Sequence, residues 1–255
     1  MVEWVNFREL GGYMGNGGRV MRRGVLYRAG LPKLSLEDWY RYIDQYRLQT
    51  VVNLMGDFTD EQCYPHFPAV AYHDGSFSHD DIPILIRPLP LRLDDEAMAQ
   101  LLRQTPIEYW GYDEMLSYYQ HQASSPYLYQ IVQSFKDEVL ALEKDRALVY
   151  HCFSGKDRTG ILTAMVMTAM GCSQETIEYE YGLSRQQVDS LKTLSDPDNV
   201  LIRTSDVTMY EISFDWLRAF LNKVALRIDL EGGSQRTDLL LSYDDVIALR
   251  EKLLI

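Results

Sequence analysis

Cysteine, positive charge and long apolar runs are all scarce in this chain, and each scarcity closes off a class of protein. Three cysteines in 255 residues, Cys63, Cys152 and Cys172, form an odd and sparse set. They cannot staple a small secreted scaffold, and no two stand in the Cys-x-x-Cys spacing that suggests zinc. Such usage suits a reducing compartment and points to the cytoplasm. The opening Met-Val-Glu-Trp-Val-Asn-Phe-Arg has neither the basic start nor the apolar run of a signal peptide, although a trimmed, secreted mature form stays open. The longest apolar stretch, Ile161 to Met170, falls far short of the roughly 20 residues that cross a bilayer, so no stable membrane insertion is expected. Against 37 Asp+Glu there are 25 Lys+Arg, a formal net charge of -12. That surface disfavours nucleic acid and anionic lipid, so any anionic substrate must be met by a local cluster of positive groups. The sequence shows no internal repeat and no low-complexity tract.

What remains is an ordinary globular composition, with 46% hydrophobic and 24% charged residues, enough for one domain over 1–255. Glycine-punctuated runs before residue 30 predict small hairpins or turns. Ser35 reads as an N-cap for a helix whose apolar stripe holds Leu36, Trp39, Tyr40, Ile43 and Tyr46. Thr50 to Leu54, Ala69 to Tyr72 and Ile84 to Ile86 read as short strands. Helical sequence broken by Pro106 and Gly111 runs from Asp94 to about Gln122, and an amphipathic helix from Tyr127 to Glu143. Ala147 to Tyr150 is a β-run buried on both sides. The apolar helix Ile161 to Met170, closed by Gly171, follows ten unusual residues. Beyond it the chain reads as mostly helical, ending with Tyr243 to Leu254. Strands alternating with helices predict an α/β fold: a short, mainly parallel central sheet, helices on both faces and a helical C-terminal part.

The ten residues are His151-Cys152-Phe153-Ser154-Gly155-Lys156-Asp157-Arg158-Thr159-Gly160. A loop between a buried strand and a helix gathers backbone N–H groups at the helix N-terminus, a setting that suits a phosphate dianion. Cys152 at its start faces those amides and the helix dipole, which favour an anionic, nucleophilic sulfur. Arg158 can fold back and clamp two phosphoryl oxygens with its planar fork. Thr159 can donate its hydroxyl to the Cys152 sulfur. Phe153, Ser154, Gly155, Lys156, Asp157, Arg158 and Thr159 are therefore the candidates for holding phosphate or substrate. Lys156 is the nearest cation left for a second substrate charge. Asp157 is either the general acid or a brace for the loop. Its rivals as acid are Asp94 and Asp95, with Asp74, Asp80 and Asp81 behind them. His151 is expected to hold the loop through backbone hydrogen bonds, and the other histidines lack metal-ligand spacing.

Cys-x5-Arg with this filling resembles the protein tyrosine phosphatase superfamily, and in particular its bacterial and fungal tyrosine/serine phosphatases. Asn6-Phe7-Arg8-Glu9-Leu10-Gly11-Gly12, Arg23-Gly24-Val25-Leu26-Tyr27-Arg28, Glu180-Tyr181-Gly182-Leu183-Ser184 and the C-terminal Leu249-Arg250-Glu251-Lys252-Leu253 are similar to further segments of that family. Asn53-Leu54-Met55 departs from its usual Asp-Leu-Arg, and residues 56 to 130 match poorly. The resemblance implies a protein tyrosine phosphatase-like fold and a phosphomonoesterase working through phosphocysteine without a cofactor. Its substrate would be a phosphorylated protein or a phosphoinositide. The resemblance also gives Arg28 and Arg8 a place near the pocket. The aromatic, poorly matching segment at about 91–130 is a candidate helical lid. The competing readings are an inert phosphate-binding module and a rhodanese-like sulfurtransferase, which also uses an activated cysteine loop.

Overall fold

In the computed structural model the described residues are 4–32, 34–55, 70–71, 77–79, 82–89, 103–104, 110–185 and 211–255. The sheet grows from runs too apolar to face water. Strands β2 (Leu26–Ala29) and β7 (Ala147–His151) are buried at every position, and β3 (Leu48–Asn53) at all but one. With β1 (Arg8–Glu9), β4 (Val70–Ala71), β5 (Phe77–His79) and β6 (Ile82–Pro88) they form one sheet in the order β1-β2-β7-β3-β6-β5-β4. The β2–β7, β7–β3 and β3–β6 pairings at its centre are parallel, and those at its edges antiparallel. Parallel strands need cover on both faces, and strand alternation shows where it comes from.

Tyr27 of β2 stacks on Phe7 and meets Tyr46 of helix α1 (Leu36–Tyr46), which places α1 on the face shared by Tyr27, Val149 and His151. Tyr150 points the other way. Its hydroxyl lies 2.7 Å from Thr163 Oγ1 of α4 (Asp157–Ala169), and its ring meets Phe135 of α3 (Leu128–Leu140). Helices therefore cover both faces of a mainly parallel sheet, as the strand–helix alternation predicts. The predicted cap recurs, with Ser35 accepting from Asp38 N, and Ser173 likewise accepts from Thr176 N to open α5 (Gln174–Gly182).

Helix α4 is buried on nearly all sides because the sheet lies on one flank and α5, α6 (Phe214–Val224) and α7 (Tyr243–Leu253) on the others. Helix α2 (Tyr112–Ser124) packs on α6 through Tyr112 and Tyr119 against Trp216.

Three elements differ from the sequence reading. α4 begins at Asp157 rather than Ile161, so the last residues of the expected loop form its first turn. β1 was hidden because two charged residues make a strand only by pairing with β2. The chain between α6 and α7 is largely non-helical: Asp229 there accepts from Gly232 N and Ser234 N in a turn, and Ile228 bridges Leu241. No helix among the described residues is long and apolar enough to cross a membrane. Of the segment 91–130, the described part from 110 onward carries buried Trp110, Tyr118 and Tyr119.

Candidate active site

The loop leaves β7 at its C-terminal end and enters the N-terminus of α4, with Cys152 only 3% exposed at its start. Its path is set by what its carbonyls touch. Phe153 O accepts from Leu31 N at 2.7 Å. Asn6 Nδ2 donates to Ser154 O at 3.1 Å and to Gly155 O at 2.9 Å. Arg28 Nη2 donates to Gly155 O at 2.6 Å and reaches Lys156 O at 3.5 Å. Four consecutive carbonyls thus point outward to β2 and the N-terminal segment. In a trans peptide the following N–H points the opposite way, so the amides of residues 154–157 turn inward. The orphan N–H groups of the first turn of α4 lie next to them. Gly155, at φ +69°, makes this possible: a Cβ there would lie 2.5 Å from the carbonyl carbon and oxygen of Ala29.

His151 Nδ1 lies 3.1 Å from the Cys152 carbonyl, and His151 O accepts from Leu54 N, which ties the loop to the end of β3. Burial, opposed by that hydrogen bond and reinforced by the nearby Arg158 charge, lowers its pKa to about 4, so the ring stays neutral. Arg158 is half-buried, with Nη1 3.4 Å from Leu54 O. Asn53, where the family usually has Asp, uses its Oδ1 to accept from Met55 N at 2.9 Å. Thr159 Oγ1 is buried and has no hydrogen-bond partner among the described residues, so the expected donation to the Cys152 sulfur is not made.

Two expected ligand-facing cations lie elsewhere. Arg28 stands behind the loop with no exposure, its Nη1 on Glu180 Oε2 at 2.6 Å. Strand alternation is the cause: Arg28 pairs with Tyr150 and projects toward α4 and α5, beneath the loop instead of into its mouth. Lys156 is 1% exposed. Its Nζ donates to Glu211 O at 2.8 Å, lies 3.1 Å from Asp157 Oδ1, and sits 5.6 Å from the Trp216 ring centre. The spacing suggested an uncommitted cation, but α6 and the segment before it enclose this one. Asp157 is the first residue of α4, and its Oδ1 also accepts from Tyr119 OH at 2.8 Å. Tyr119 OH lies 2.7 Å from Tyr181 OH. Burial first, then the Asp157 charge, pushes both phenols well above their ordinary range, so they remain neutral donors. Asp94, Asp95, Asp74, Asp80, Asp81 and Cys63 lie outside the described residues.

Glu180, Tyr119, Tyr181 and Trp216 were not singled out in the sequence as site residues, although Glu180 and Tyr181 sit in a segment marked by resemblance. Glu180 has no exposure and accepts from Arg28 and, at 2.7 Å, from Arg8 Nε. Arg8 Nη2 reaches Ser184 Oγ at 2.9 Å, and its Nη1 donates to Asn6 Oδ1. Burial and the adjacent Arg28, against the pull of Glu180, lower the Arg8 pKa to about 10. The four sequence segments marked by resemblance around Asn6, Arg28, Cys152 and Glu180 therefore converge on one place.

Known proteins match this chain to different extents. A Cupriavidus necator protein that bears the name of a tyrosine-protein phosphatase is 31% identical over 183 residues, which are 71% of this chain and 61% of that protein. The match thus spans less than two thirds of that relative's length. The triple specificity protein phosphatase PtpB of Mycobacterium tuberculosis is 39% identical over 54 residues, 21% of this chain and 20% of its own. Among solved structures, the core catalytic domain of the PP-IP phosphatase SIW14 from S. cerevisiae aligns at 13% identity, covering 78% of this chain and 86% of that one, with a TM-score of 0.37. The family model described as the tyrosine phosphatase family matches residues 1–255. The chain belongs to the tyrosine phosphatase family.

Proposed function

We propose that this chain hydrolyses phosphomonoesters, phosphotyrosine first among them, by covalent catalysis at Cys152. The observation that carries the reading is the orientation of the loop: four outward carbonyls leave the amides of residues 154–157 facing inward beside Cys152 at a helix N-terminus. That arrangement offers a phosphoryl dianion several donors without a metal.

In the proposed first step the Cys152 sulfur forms a bond to phosphorus, the ester P–O bond breaks, and an acid protonates the departing oxygen. Water then attacks phosphorus, the P–S bond breaks, and inorganic phosphate leaves. Arg158 closes on the equatorial oxygens. Asp157 is the proposed acid. Among the described residues its two contacts, from Tyr119 and Lys156, both fall on Oδ1, which leaves Oδ2 to carry the proton. Phosphoserine, phosphothreonine and phosphoinositides remain in the proposed substrate range. The buried Lys156, however, no longer supports a preference for lipid phosphates.

Turnover of para-nitrophenyl phosphate by the wild type and by Cys152→Ser tests the proposal. The Ser variant should lose activity by about 10³-fold or more while still binding orthovanadate, because it keeps the loop but has no thiolate. Ser turnover within tenfold of wild type would reject the covalent mechanism. Conversion of thiosulfate and cyanide, with no phosphatase activity, would make the chain a sulfurtransferase. A phosphopeptide and soluble phosphoinositide panel, compared by kcat/KM, then ranks the substrates.

A further inference from the structure

Beneath the loop lies a cluster whose expense the chemistry of Cys152 and Arg158 does not explain. Glu180 has no exposure and stands between two arginines, Arg28 with none and Arg8 with 16%. Burying three charges is costly unless each is held in good geometry. Here the holding groups lead to the loop by two routes. Arg28 grips Glu180 with Nη1 and Gly155 O with Nη2, both at 2.6 Å, so the carboxylate fixes one edge of a rigid fork and thereby aims the other. Arg8, held by Glu180 through Nε, donates to Asn6 Oδ1. That contact fixes which end of the Asn6 carboxamide faces the loop, and Nδ2 is the end that donates to Ser154 O and Gly155 O.

Resting on the phosphatase reading above, we propose that Glu180 is a positioning residue that, through Arg28 and through Arg8 and Asn6, locks the carbonyls of Ser154 and Gly155 outward. The lock matters because Gly155 sits at φ +69°, in a conformation that leaves its flanking peptides free to turn. A turned Gly155–Lys156 peptide would present a carbonyl dipole to the phosphoryl dianion and withdraw the Lys156 N–H. Attraction would become repulsion at the site, with Cys152 and Arg158 both intact.

The test compares wild type with Glu180→Gln, which keeps the shape and removes the charge, and with Asn6→Gly. Asn6 has φ +56°, so glycine accepts its backbone without strain and deletes only the carboxamide. KM for para-nitrophenyl phosphate and competitive Ki for orthovanadate and inorganic phosphate are measured on protein shown by melting to be folded at the assay temperature. Glu180→Gln should raise KM and both Ki values by about tenfold or more, and Asn6→Gly by several-fold in the same direction. A merely structural role would lower the active fraction, with kcat reduced and KM and Ki unchanged, and that result overturns the proposal. Should Glu180→Gln fail to fold, Asn6→Gly decides by the same criterion, since it removes no charge. A wild type that neither turns over the ester nor binds either anion overturns the phosphatase reading and this inference together. A wild type that does both, beside folded variants with unchanged Ki, overturns this inference alone.

Discussion

Lys156 shows how the fate of one side chain depends on what folds over it. Two residues before Arg158, in a chain of net charge -12, a lysine is the natural candidate to meet a second substrate charge. Its ammonium is instead shared among the Glu211 carbonyl, Asp157 and the face of Trp216, with 1% of the residue exposed. Lys156→Met keeps most of the stem and removes the charge. It leaves a buried carbonyl and a carboxylate short of a donor, which should destabilise the fold by about 1–3 kcal/mol in urea unfolding. Activity on para-nitrophenyl phosphate and on a soluble phosphoinositide should fall by the same factor, because what is lost is the seat of Asp157. A loss confined to the phosphoinositide would put the ammonium back at the substrate. The motif alone marked Lys156 as part of the site. Its burial is contributed by α6 and by Glu211, 55 residues away, and no local pattern signals it.

At the scale of elements, the loop is seated between β2 and α5 by two glycines that differ in what blocks them. A Cβ on Gly155 would strike the backbone of Ala29 at 2.5 Å, whereas one on Gly160 would meet the Tyr181 ring at 2.9 Å. Backbone in a sheet cannot retreat, but a ring on α5 can shift by a few tenths of an ångström. Gly160→Ala should therefore cost about 1–3 kcal/mol and leave a folded, weakened protein. Gly155→Ala adds positive-φ strain to the clash and should cost more, with phosphate binding lost. Thermal unfolding and vanadate titration of both variants check the order. If Gly155→Ala proved the milder change, the loop would not rest on β2 as described. Of the strands that flank this seat, β3 and β7 were legible because Val51–Val52 and Leu148–Tyr150 are apolar runs between turn residues, whereas the run that becomes β2 read only as part of small hairpins or turns. The first turn of α4 was not, since Asp157-Arg158-Thr159-Gly160 carries no apolar periodicity and becomes helical only because the buried turns from Ile161 to Ala169 hold it in place.

Across the whole molecule, acid acts in two opposing directions. Lowering the pH relieves the mutual repulsion of a chain with 37 acidic residues, which favours the folded state. His151 works against this. Its folded pKa of about 4 lies below the ordinary 6.5, so between those values the unfolded chain binds the proton and the folded chain does not. Stability from this group is complete above about pH 6.5, is lost as the pH falls toward 4, and levels off below it; the full change is about 3 kcal/mol. His151→Gln removes the titration, so the stability difference between wild type and variant should shift by that order between pH 7.5 and 4 in urea unfolding. Parallel curves over the whole range would mean the ring titrates normally in the folded protein.

The chain alone determined the loop from Cys152 to Arg158, the strand before it, the apolar helix after it and the α/β alternation. Each is written in contiguous residues whose chemistry and spacing act locally. It also marked the segments around Asn6, Arg28 and Glu180, through resemblance, without saying what they do. Only the tertiary structure decided that Arg28 faces Glu180 across 152 positions of sequence, and Arg8 faces it across 172. Strand alternation had first to send both arginines to the α4 face, and α5 had then to bring a carboxylate between them. Which charges a fold buries is set by how its elements pack, and here that packing brings Arg28 Nη2 within 2.6 Å of the Gly155 carbonyl behind Cys152.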